Sequence, residues 1–269
     1  MTSGPEAEAG APPSPAVLPE ALGVARSFLI YYATPFRLSS LRRFSRSLLR
    51  PGDLAFDLGA HAGNRVYAWT RLGARVVAVE PNPIFFRLLT TLWGRHPRVT
   101  LLPLAVGASP SLARLEISRR TPTLSTLSTA WTRRVEQTRS FRGVSWDTSS
   151  PVEVTTVDRL IERFGVPDFC KIDVEGSEYE VLQGLTRPLP SLSFEFHPAA
   201  PEFGLPCLDR LESLAAYEYN WSVGESHRFA LEEWVGPSGI RGLLQSLLHE
   251  DRSGDVYARL MEPKLRLSL

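Results

Sequence analysis

The feature that most constrains the fold is Leu54–Gly63, LAFDLGAHAG, together with Arg75–Pro81, RVVAVEP. The first segment is an apolar run that contains Asp57 and continues into small residues, which is typical of a strand and a tight turn before a helix. The second is another apolar run, closed by Glu80. An acid at the end of a second strand, about 20 residues past a glycine turn, suits a pair of ribose hydroxyls. The two segments therefore predict an α/β nucleoside pocket.

Strand and helix patterns alternate from Asp53 onward, which predicts a mainly parallel sheet with helices on both faces. The predicted strands are Leu54–Leu58, Arg75–Val79, Val99–Val106, Ala113–Ile117, Val152–Thr155, Asp168–Val174, Leu192–His197, Asn220–Val223, Arg228–Leu231 and Asp255–Leu260. The predicted helices are Asn64–Leu72, Pro83–Trp93, Arg159–Phe164, Glu178–Leu185, Cys207–Tyr217 and Ile240–Leu248. Ligands of such sheets bind beyond the carboxyl ends of the strands, where Asp57, Glu80, Val106, Asp173 and His197 fall.

The pattern also divides the chain. Residues 1–19 are rich in Pro, Ala, Gly and Glu, which predicts a disordered tail. Residues 20–52 predict a helical basic cap, residues 53–262 the main domain, and residues 263–269 a C-terminal tail. Within the main domain, the Ser/Thr/Arg-rich stretch 118–150 predicts an insertion or flexible loop. Two interpretations of the basic cap stay open: a lid with a solvated face, and a surface for an anionic substrate or lipid headgroups.

Composition excludes several classes of protein. The chain has 269 residues, 43% of them hydrophobic, and a formal net charge of +1, which gives no reason to expect nucleic acid as a partner. Two cysteines without a CxxC spacing exclude a disulfide scaffold and a cysteine-rich zinc site. The sequence has no apolar run of about 18 residues and no signal-peptide pattern at its start. We therefore expect no transmembrane segment and a cytoplasmic location.

The glycine turn itself bears on the cofactor. It reads GAHAG and lacks the GxGxxG spacing that brings a dinucleotide pyrophosphate to a helix N-terminus. S-adenosylmethionine carries no phosphate and needs only space beside the turn and a carboxylate for its ribose. The turn therefore favours the sulfonium cofactor over a nicotinamide dinucleotide.

Five segments, in matching order and spacing, are similar to the FkbM family of methyltransferases. They are FDLGAHAGN (Phe56–Asn64), VVAVEPNP (Val76–Pro83), LPLAVGA (Leu102–Ala108), TTVDRLI (Thr155–Ile161) and KIDVEGSEYEVLQGL (Lys171–Leu185). The resemblance implies a Rossmann-like class I methyltransferase fold with a seven-stranded sheet, dependence on S-adenosyl-L-methionine and, as in many members, O-methylation of natural products or sugars. His61 departs from the family pattern, in which Asn is usual.

Carried over by position, the resemblance implies a cofactor site and a transfer site. The implied cofactor-binding residues are Asp57, Gly59, Ala60, His61, Gly63, Glu80, Pro81, Asn82, Ala105, Val106 and Asp173. Asp173 and Glu175 are the implied residues at the point of methyl transfer. A purely structural role for Glu175, at the start of the following helix, stays open. Lys171 shares a strand face with Asp173. One interpretation is that its positive charge compensates the acids nearby.

Glu195 and His197 alternate along one predicted strand and therefore point to one face. Three interpretations stay open: His197 acts as a base near the acceptor hydroxyl, Asp173 and Glu195 hold a divalent cation, or His197 only ends the strand in a polar shell. We count His197 among the candidate catalytic residues and predict no metal.

The predicted function is S-adenosylmethionine-dependent methyl transfer to a hydroxyl of a small molecule or sugar. The arginines of the basic cap suit an anionic acceptor. The alternatives are a non-catalytic cofactor-binding module of the same fold, a nicotinamide-dependent oxidoreductase and a peripheral membrane protein.

Overall fold

A computed structural model of the protein describes residues 37–138, 141–250 and 252–261. In chain order the strands are β1 (Leu54–Leu58), β2 (Arg75–Val79), β3 (Val99–Leu102), β4 (Ala105–Val106), β5 (Ser111–Ile117), β6 (Thr148–Thr155), β7 (Phe169–Ile172), β8 (Ser191–Phe196), β9 (Tyr217–Val223) and β10 (Gly254–Leu260). The predicted tails, and residues 20–36 of the predicted basic cap, lie outside the described residues.

The helices are α1 (Arg37–Ser45), α2 (Asn64–Arg71), α3 (Pro83–Trp93), α4 (Thr129–Val135), α5 (Val157–Phe164), α6 (Glu178–Gln183), α7 (Pro201–Leu214) and α8 (Pro237–Ser246). A 3₁₀ turn spans Pro122–Leu124. Asn82 caps α3 by accepting a hydrogen bond from the Ile84 N–H, and Pro83 occupies the first helical position, where its missing N–H costs least. No helix in the described part of the chain is both long enough and apolar enough to cross a lipid bilayer.

Seven strands form the main sheet in the order β3-β2-β1-β7-β8-β10-β9. All neighbours are parallel except β10, which runs antiparallel to both β8 and β9. This arrangement confirms the predicted mostly parallel, Rossmann-like α/β sheet. The strand order reverses between β1 and β7, because β1 pairs with β2 on one side and with β7 on the other. Ligands of open α/β sheets bind at such a switch point.

Helices cover both faces of this sheet. On one face, side chains of α5, α6, α7 and α8 join the larger apolar cluster, to which β1 contributes Leu54, Phe56 and Leu58. On the other face, α1, α2 and α3 pack over Ala55 of β1. Asp57 follows Ala55 by two positions and therefore faces the same side as α1, α2 and α3.

The predicted strand Val99–Val106 is wrong as a single element. The chain breaks at Pro103, which has no N–H to donate to a strand ladder, and Ala105–Val106 leave the main sheet. They pair with β6 in a second sheet of order β4-β6-β5. This second sheet brings Ala105 and Val106 toward the carboxyl end of β2.

The predicted strand Arg228–Leu231 is also wrong, because these residues form bends. The segment is held to β9 by one backbone hydrogen bond, from the Ala230 N–H to the Trp221 carbonyl at 2.7 Å, and by the side chain of Asn220. Asn220 accepts a hydrogen bond from the Leu231 N–H and donates one to its carbonyl oxygen. The predicted helix Cys207–Tyr217 lies further toward the N-terminus, at Pro201–Leu214, and Tyr217 begins β9.

The 118–150 segment, expected to be an insertion or flexible loop, contains regular structure where it is described. It holds the 3₁₀ turn, α4 and the start of β6. Its side chains Trp131, Val135 and Phe141 form a small apolar cluster with Ala200. The segment is thus packed against the residues that follow β8.

Candidate active site

A cavity of about 880 Å³ opens at the carboxyl ends of β1, β2 and β7. The 118–150 segment forms one wall, through Pro122, Thr123, Ser125 and Leu127. The predicted site residues that line the cavity are Asp57, Gly59, Ala60, His61, Glu80, Pro81, Ala105, Val106, Asp173 and Glu175.

The glycine turn after β1 holds the two acidic strand ends close together. Gly59 has a φ of 86°, and a Cβ at this position would overlap the backbone carbonyl of Asp173. Its N–H donates to the Val79 carbonyl at 2.9 Å. Only a residue without a side chain permits this approach, and the ends of β1, β2 and β7 meet there as a result.

Glu80 is fixed at the end of β2 by two backbone donors. Its carboxylate accepts the His61 N–H at 2.7 Å and the Asn82 N–H at 2.8 Å, and the residue is 5% exposed. Burial raises the pKa of Glu80 to about 7, although these two hydrogen bonds lower it. Each carboxylate oxygen has a second acceptor site. The side chain is therefore oriented to accept from hydroxyls of a ligand in the cavity.

Asp57 is 2% exposed, and its Oδ2 has no hydrogen-bond partner among the described residues. Burial raises its pKa to about 6, while the charges of Arg65 and Lys171 lower it. A buried carboxylate oxygen without a partner is costly unless a ligand supplies a donor or a positive charge. This wall of the cavity therefore presents an acceptor oxygen that no described residue occupies.

A buried ion network lies beneath Asp173. Lys171 is 1% exposed, and its Nζ lies 3.2 Å from Asp173 Oδ2 and 2.7 Å from Asp255 Oδ1. Arg65 Nη2 lies 3.3 Å from the other oxygen of Asp255. The interpretation of Lys171 as a counter-charge for nearby acids is confirmed, and one of these acids comes from β10.

Two further carboxylates cluster with that of Asp173. Oxygen atoms of Asp173, Glu175 and Glu195 all lie within 4.8 Å of one another. Burial, and then the charge of Glu195, raises the pKa of Glu175 well above its ordinary value; burial and the charge of Asp173 raise that of Glu195. Such a cluster can take up a proton or hold a cation.

Glu175 follows β7 with a φ of 53°, a left-handed backbone conformation that is uncommon outside glycine. Its carbonyl accepts a hydrogen bond from the Thr126 hydroxyl at 2.6 Å. Glu178 also acts at this turn, because its carboxylate accepts the N–H groups of Val174 and Gly176. Glu175 lines the large cavity.

His197 lies apart from the large cavity. It lines a smaller one of about 230 Å³ with Trp131 and Glu195, and its ring centroid lies 5.2 Å from that of Phe141. Burial lowers the pKa of His197 to about 4, so the imidazole is neutral at physiological pH. The smaller cavity is connected to the acid cluster through Glu195.

Two predicted cofactor residues, Gly63 and Asn82, do not line the large cavity. Gly63 caps α2 with a φ of 79°. The Asn82 side chain caps α3 and donates to Ser125 Oγ at 2.9 Å, which fastens the 118–150 segment to the end of β2. His61 does line the cavity; its ring packs 3.8 Å from that of Phe85, and burial lowers its pKa to about 4.

Sequence reasoning missed Arg65, Glu178 and Asp255. Arg65 gave a signal, because a cation in the first turn of a helix opposes the helix dipole. Glu178 gave a weaker one, as an acid in the first turn of α6, where it can reach back to preceding N–H groups. Asp255 gave none, since its place beside Lys171 depends on the strand order.

Comparison with known proteins identifies the family to which the chain belongs. A family model described as the methyltransferase FkbM domain matches residues 57–236. The hexuronic acid methyltransferase AglP of Haloferax volcanii is 33% identical over 144 residues, which are 53% of this chain and 54% of that protein. This chain therefore spans about half the length of the curated relative it matches.

Two solved structures are similar at low identity. The precorrin-6y C5,15-methyltransferase of Geobacter metallireducens gives a TM-score of 0.40 at 11% identity, over 83% of this chain and 86% of that one. P. horikoshii TYW2 in complex with MeSAdo gives a TM-score of 0.40 at 12% identity, over 85% and 64%. The family match includes the glycine turn, the end of β2 and the acid cluster, and the chain belongs to the FkbM methyltransferase family.

Proposed function

We propose that the protein transfers the methyl group of S-adenosyl-L-methionine to a hydroxyl of a sugar-like small molecule. The observation that carries this proposal is one cavity lined by Asp57 near the end of β1, Glu80 after β2 and Asp173 after β7. An adenosine with a cationic sulfonium substituent matches both halves of this cavity.

The residues fit the cofactor's chemistry. Glu80, held by two backbone N–H groups, has acceptor sites left for the two ribose hydroxyls. Ala105 and Val106 offer a buried apolar surface for the adenine. The unpartnered Oδ2 of Asp57 offers a negative charge to the ammonium or sulfonium group.

The cofactor, when bound, supplies an activated methyl group on a positively charged sulfur. The protein then has to align the acceptor oxygen and exclude water. The 118–150 segment serves the second task by closing one wall of the cavity. Thr126 fastens it to the turn after β7, and Asn82 fastens it to the end of β2.

The acid cluster serves the acceptor. When it is ionised, a carboxylate with a raised pKa is a stronger base toward a hydroxyl proton than an ordinary carboxylate. Asp173 and Glu175 line the large cavity, and Glu195 lies within 4.8 Å of them. We assign proton removal to this cluster. The neutral His197 beside Glu195 belongs to the acceptor side of the same cluster.

A hydroxyl suits this cluster better than an acceptor carboxylate. A carboxylate placed beside three acids would be repelled, whereas a hydroxyl donates to them. The name of the curated relative, a hexuronic acid methyltransferase, supports a sugar acid as the class of acceptor. We therefore propose a sugar or sugar acid that is methylated on a ring hydroxyl.

The test has two stages. Isothermal titration measures binding of S-adenosylmethionine, S-adenosylhomocysteine and NADH to the full chain. Incubation with methyl-labelled cofactor and a panel of glucose, glucuronic acid and UDP-glucuronic acid then measures transfer. We expect both adenosyl compounds to bind, NADH not to bind, and label to enter an ether-linked methyl group.

Binding of the adenosyl compounds without transfer to any sugar, or to extracts of sugar metabolites, would favour the non-catalytic module. Label in an alkali-labile ester would show a carboxylate acceptor and overturn the hydroxyl assignment. Asp173→Asn should abolish transfer, and Glu153→Gln, an exposed acid on β6, should leave it unchanged.

A further inference from the structure

A cation lines the large cavity at a position where local rules disfavour it. Arg65 is the second residue of α2, and its side chain is 14% exposed. The N-terminal turn of a helix carries partial positive charge, so a guanidinium there is unfavourable. Burial adds a desolvation cost. A residue that breaks a local rule inside a cavity is a candidate for a ligand contact.

Acids from distant parts of the chain keep this cation in place. Asp255 on β10 accepts a hydrogen bond from Arg65 Nη2 at 3.3 Å, across 190 positions of sequence. Burial alone would lower the pKa of Arg65, but the charges of Glu225 and Asp255 outweigh it and hold the pKa above its ordinary value. Arg65 is therefore a fixed positive charge at every working pH.

The guanidinium is not used up by these contacts. A guanidinium has five N–H donors in a rigid fork. Within the described residues, the one hydrogen bond from its side chain goes to Asp255. Arg65 also lines the cavity, so donors remain for a ligand. The planar fork matches a carboxylate, which it can bind through two parallel hydrogen bonds.

The order of strands shows which end of a ligand reaches Arg65. Glu80 lies at the end of β2, on one side of β1, whereas Asp173 and Asp255 lie on the opposite side of β1. An adenosine held at Glu80 therefore extends its sulfur substituent toward Asp57 and Arg65.

We propose that Arg65 binds the carboxylate of the amino-acid end of S-adenosylmethionine, while Asp255 holds the guanidinium in position. The inference rests on the proposed function and adds the residue that recognises the amino-acid end. A carboxylate on the acceptor is the competing occupant of Arg65, and the experiment below separates the two.

The experiment compares two ligands that differ only in this carboxylate. S-adenosylmethionine and its decarboxylated form share the adenosine, the sulfonium and the amine. Titration calorimetry on the full chain should show that decarboxylation weakens binding by about 10- to 150-fold, the range expected for charge-assisted hydrogen bonds. In Arg65→Gln the ratio of the two dissociation constants should fall below about threefold.

The matched control is Arg71→Gln, at the exposed end of the same helix, where the guanidinium lies 5.5 Å from the Tyr67 ring. This variant should retain the wild-type ratio of the dissociation constants of decarboxylated and intact S-adenosylmethionine. Arg65→Lys keeps the charge without the fork and should give an intermediate ratio. Should Arg65→Gln fail to fold, the wild-type ratio and Arg65→Lys still decide the matter.

A wild-type protein that binds both ligands equally would overturn the inference and leave the proposed function standing. The inference would also be overturned if Arg65→Gln kept the wild-type ratio of the two dissociation constants, since another residue would then bind the carboxylate. A wild-type protein that binds neither ligand would remove the proposed function together with this inference.

Discussion

The buried ion network around Lys171 gives a stability prediction that can be worked out from the structure. Lys171→Met fills a similar volume but removes the charge between Asp173 and Asp255. Asp255 is 8% exposed and would keep only the weaker contacts with Arg65 and the Tyr257 hydroxyl, both at 3.3 Å. Breaking a buried pair from one side costs about 3–5 kcal/mol, because a charge is left without its partner.

For a domain of this size, each kcal/mol lowers the melting temperature by about 2–4 °C, so we expect a loss of roughly 6–20 °C. Urea unfolding and calorimetry measure it. Arg134→Met is the matched control, since it breaks the exposed pair with Glu202 at 2.8 Å and should cost about 1 kcal/mol or less.

The double variant Lys171→Met/Asp255→Asn adds a test of the cause. It removes both charges, so it should be at least about 1.5 kcal/mol more stable than the sum of the two single losses predicts. A single-variant loss below about 1 kcal/mol, or strict additivity, would refute the idea that these charges stabilise each other.

Four further predictions follow from the site. Glu80→Gln should weaken S-adenosylhomocysteine binding by about 10- to 100-fold, because charged hydrogen bonds are lost. In titrations it should also reduce the difference in affinity between adenosine and 2′,3′-dideoxyadenosine. An unchanged difference would mean that Glu80 only stabilises the glycine turn and does not bind the ribose hydroxyls. The ligand-free protein should lose stability as pH rises from about 5 to 8, because burial raises the folded-state pKa of Glu80 from 4.5 to about 7 and the folded state therefore binds the proton more tightly than the unfolded state. The free energy of unfolding lost through this group is about 3 kcal/mol. Urea titrations over a series of pH values measure this loss, which should be smaller in Glu80→Gln. Gly176→Ala should destabilise the protein by about 1–3 kcal/mol, because Gly176 has a φ of 88° and a Cβ there would overlap the Trp131 ring. We expect faster limited proteolysis within residues 118–150, since this segment would pack less tightly. A cleavage rate equal to that of the wild type would contradict this packing. Dialysis against EDTA should leave methyl transfer unchanged, because the methyl group of a sulfonium is already activated and needs no Lewis acid; restoration of a lost activity by Mg²⁺ would show that the cluster of Asp173, Glu175 and Glu195 holds a cation.

The sequence predicted those parts of the fold that depend on local pattern. β1, β2 and α3 begin and end at the predicted residues, because apolar runs are bounded there by Asp, Glu and Pro residues with clear structural preferences. Glu80 and Asp57 were predicted for the same reason, since a strand end near small residues is visible in the sequence, and both line the cavity. Pro103 was the missed local signal, and it explains why the third strand is shorter than predicted.

What could not be predicted depends on which strands become neighbours. Lys171 and Asp255 are separated by 84 positions, and their contact exists only because β10 enters the sheet between β8 and β9. The packing of the 118–150 segment is similar, because Trp131 and Phe141 have no helical or strand period that points to Ala200. Such contacts are tertiary, and local propensity carries no information about them.

The position of β10 has a consequence for how the protein is made. As the nascent chain leaves the ribosome, β1, β2, β3, β7 and β8 are synthesised long before Asp255. Until β10 arrives, Lys171 has the partly exposed Asp173 as a counter-charge but lacks the nearer Asp255, so its burial in a half-finished sheet is less favourable. A partly folded sheet without β10 can therefore still rearrange its strands. Contacts between residues so far apart in sequence also form slowly. β10, which is translated after β1, β2 and β7, thus completes the charge balance of the site that these strands begin.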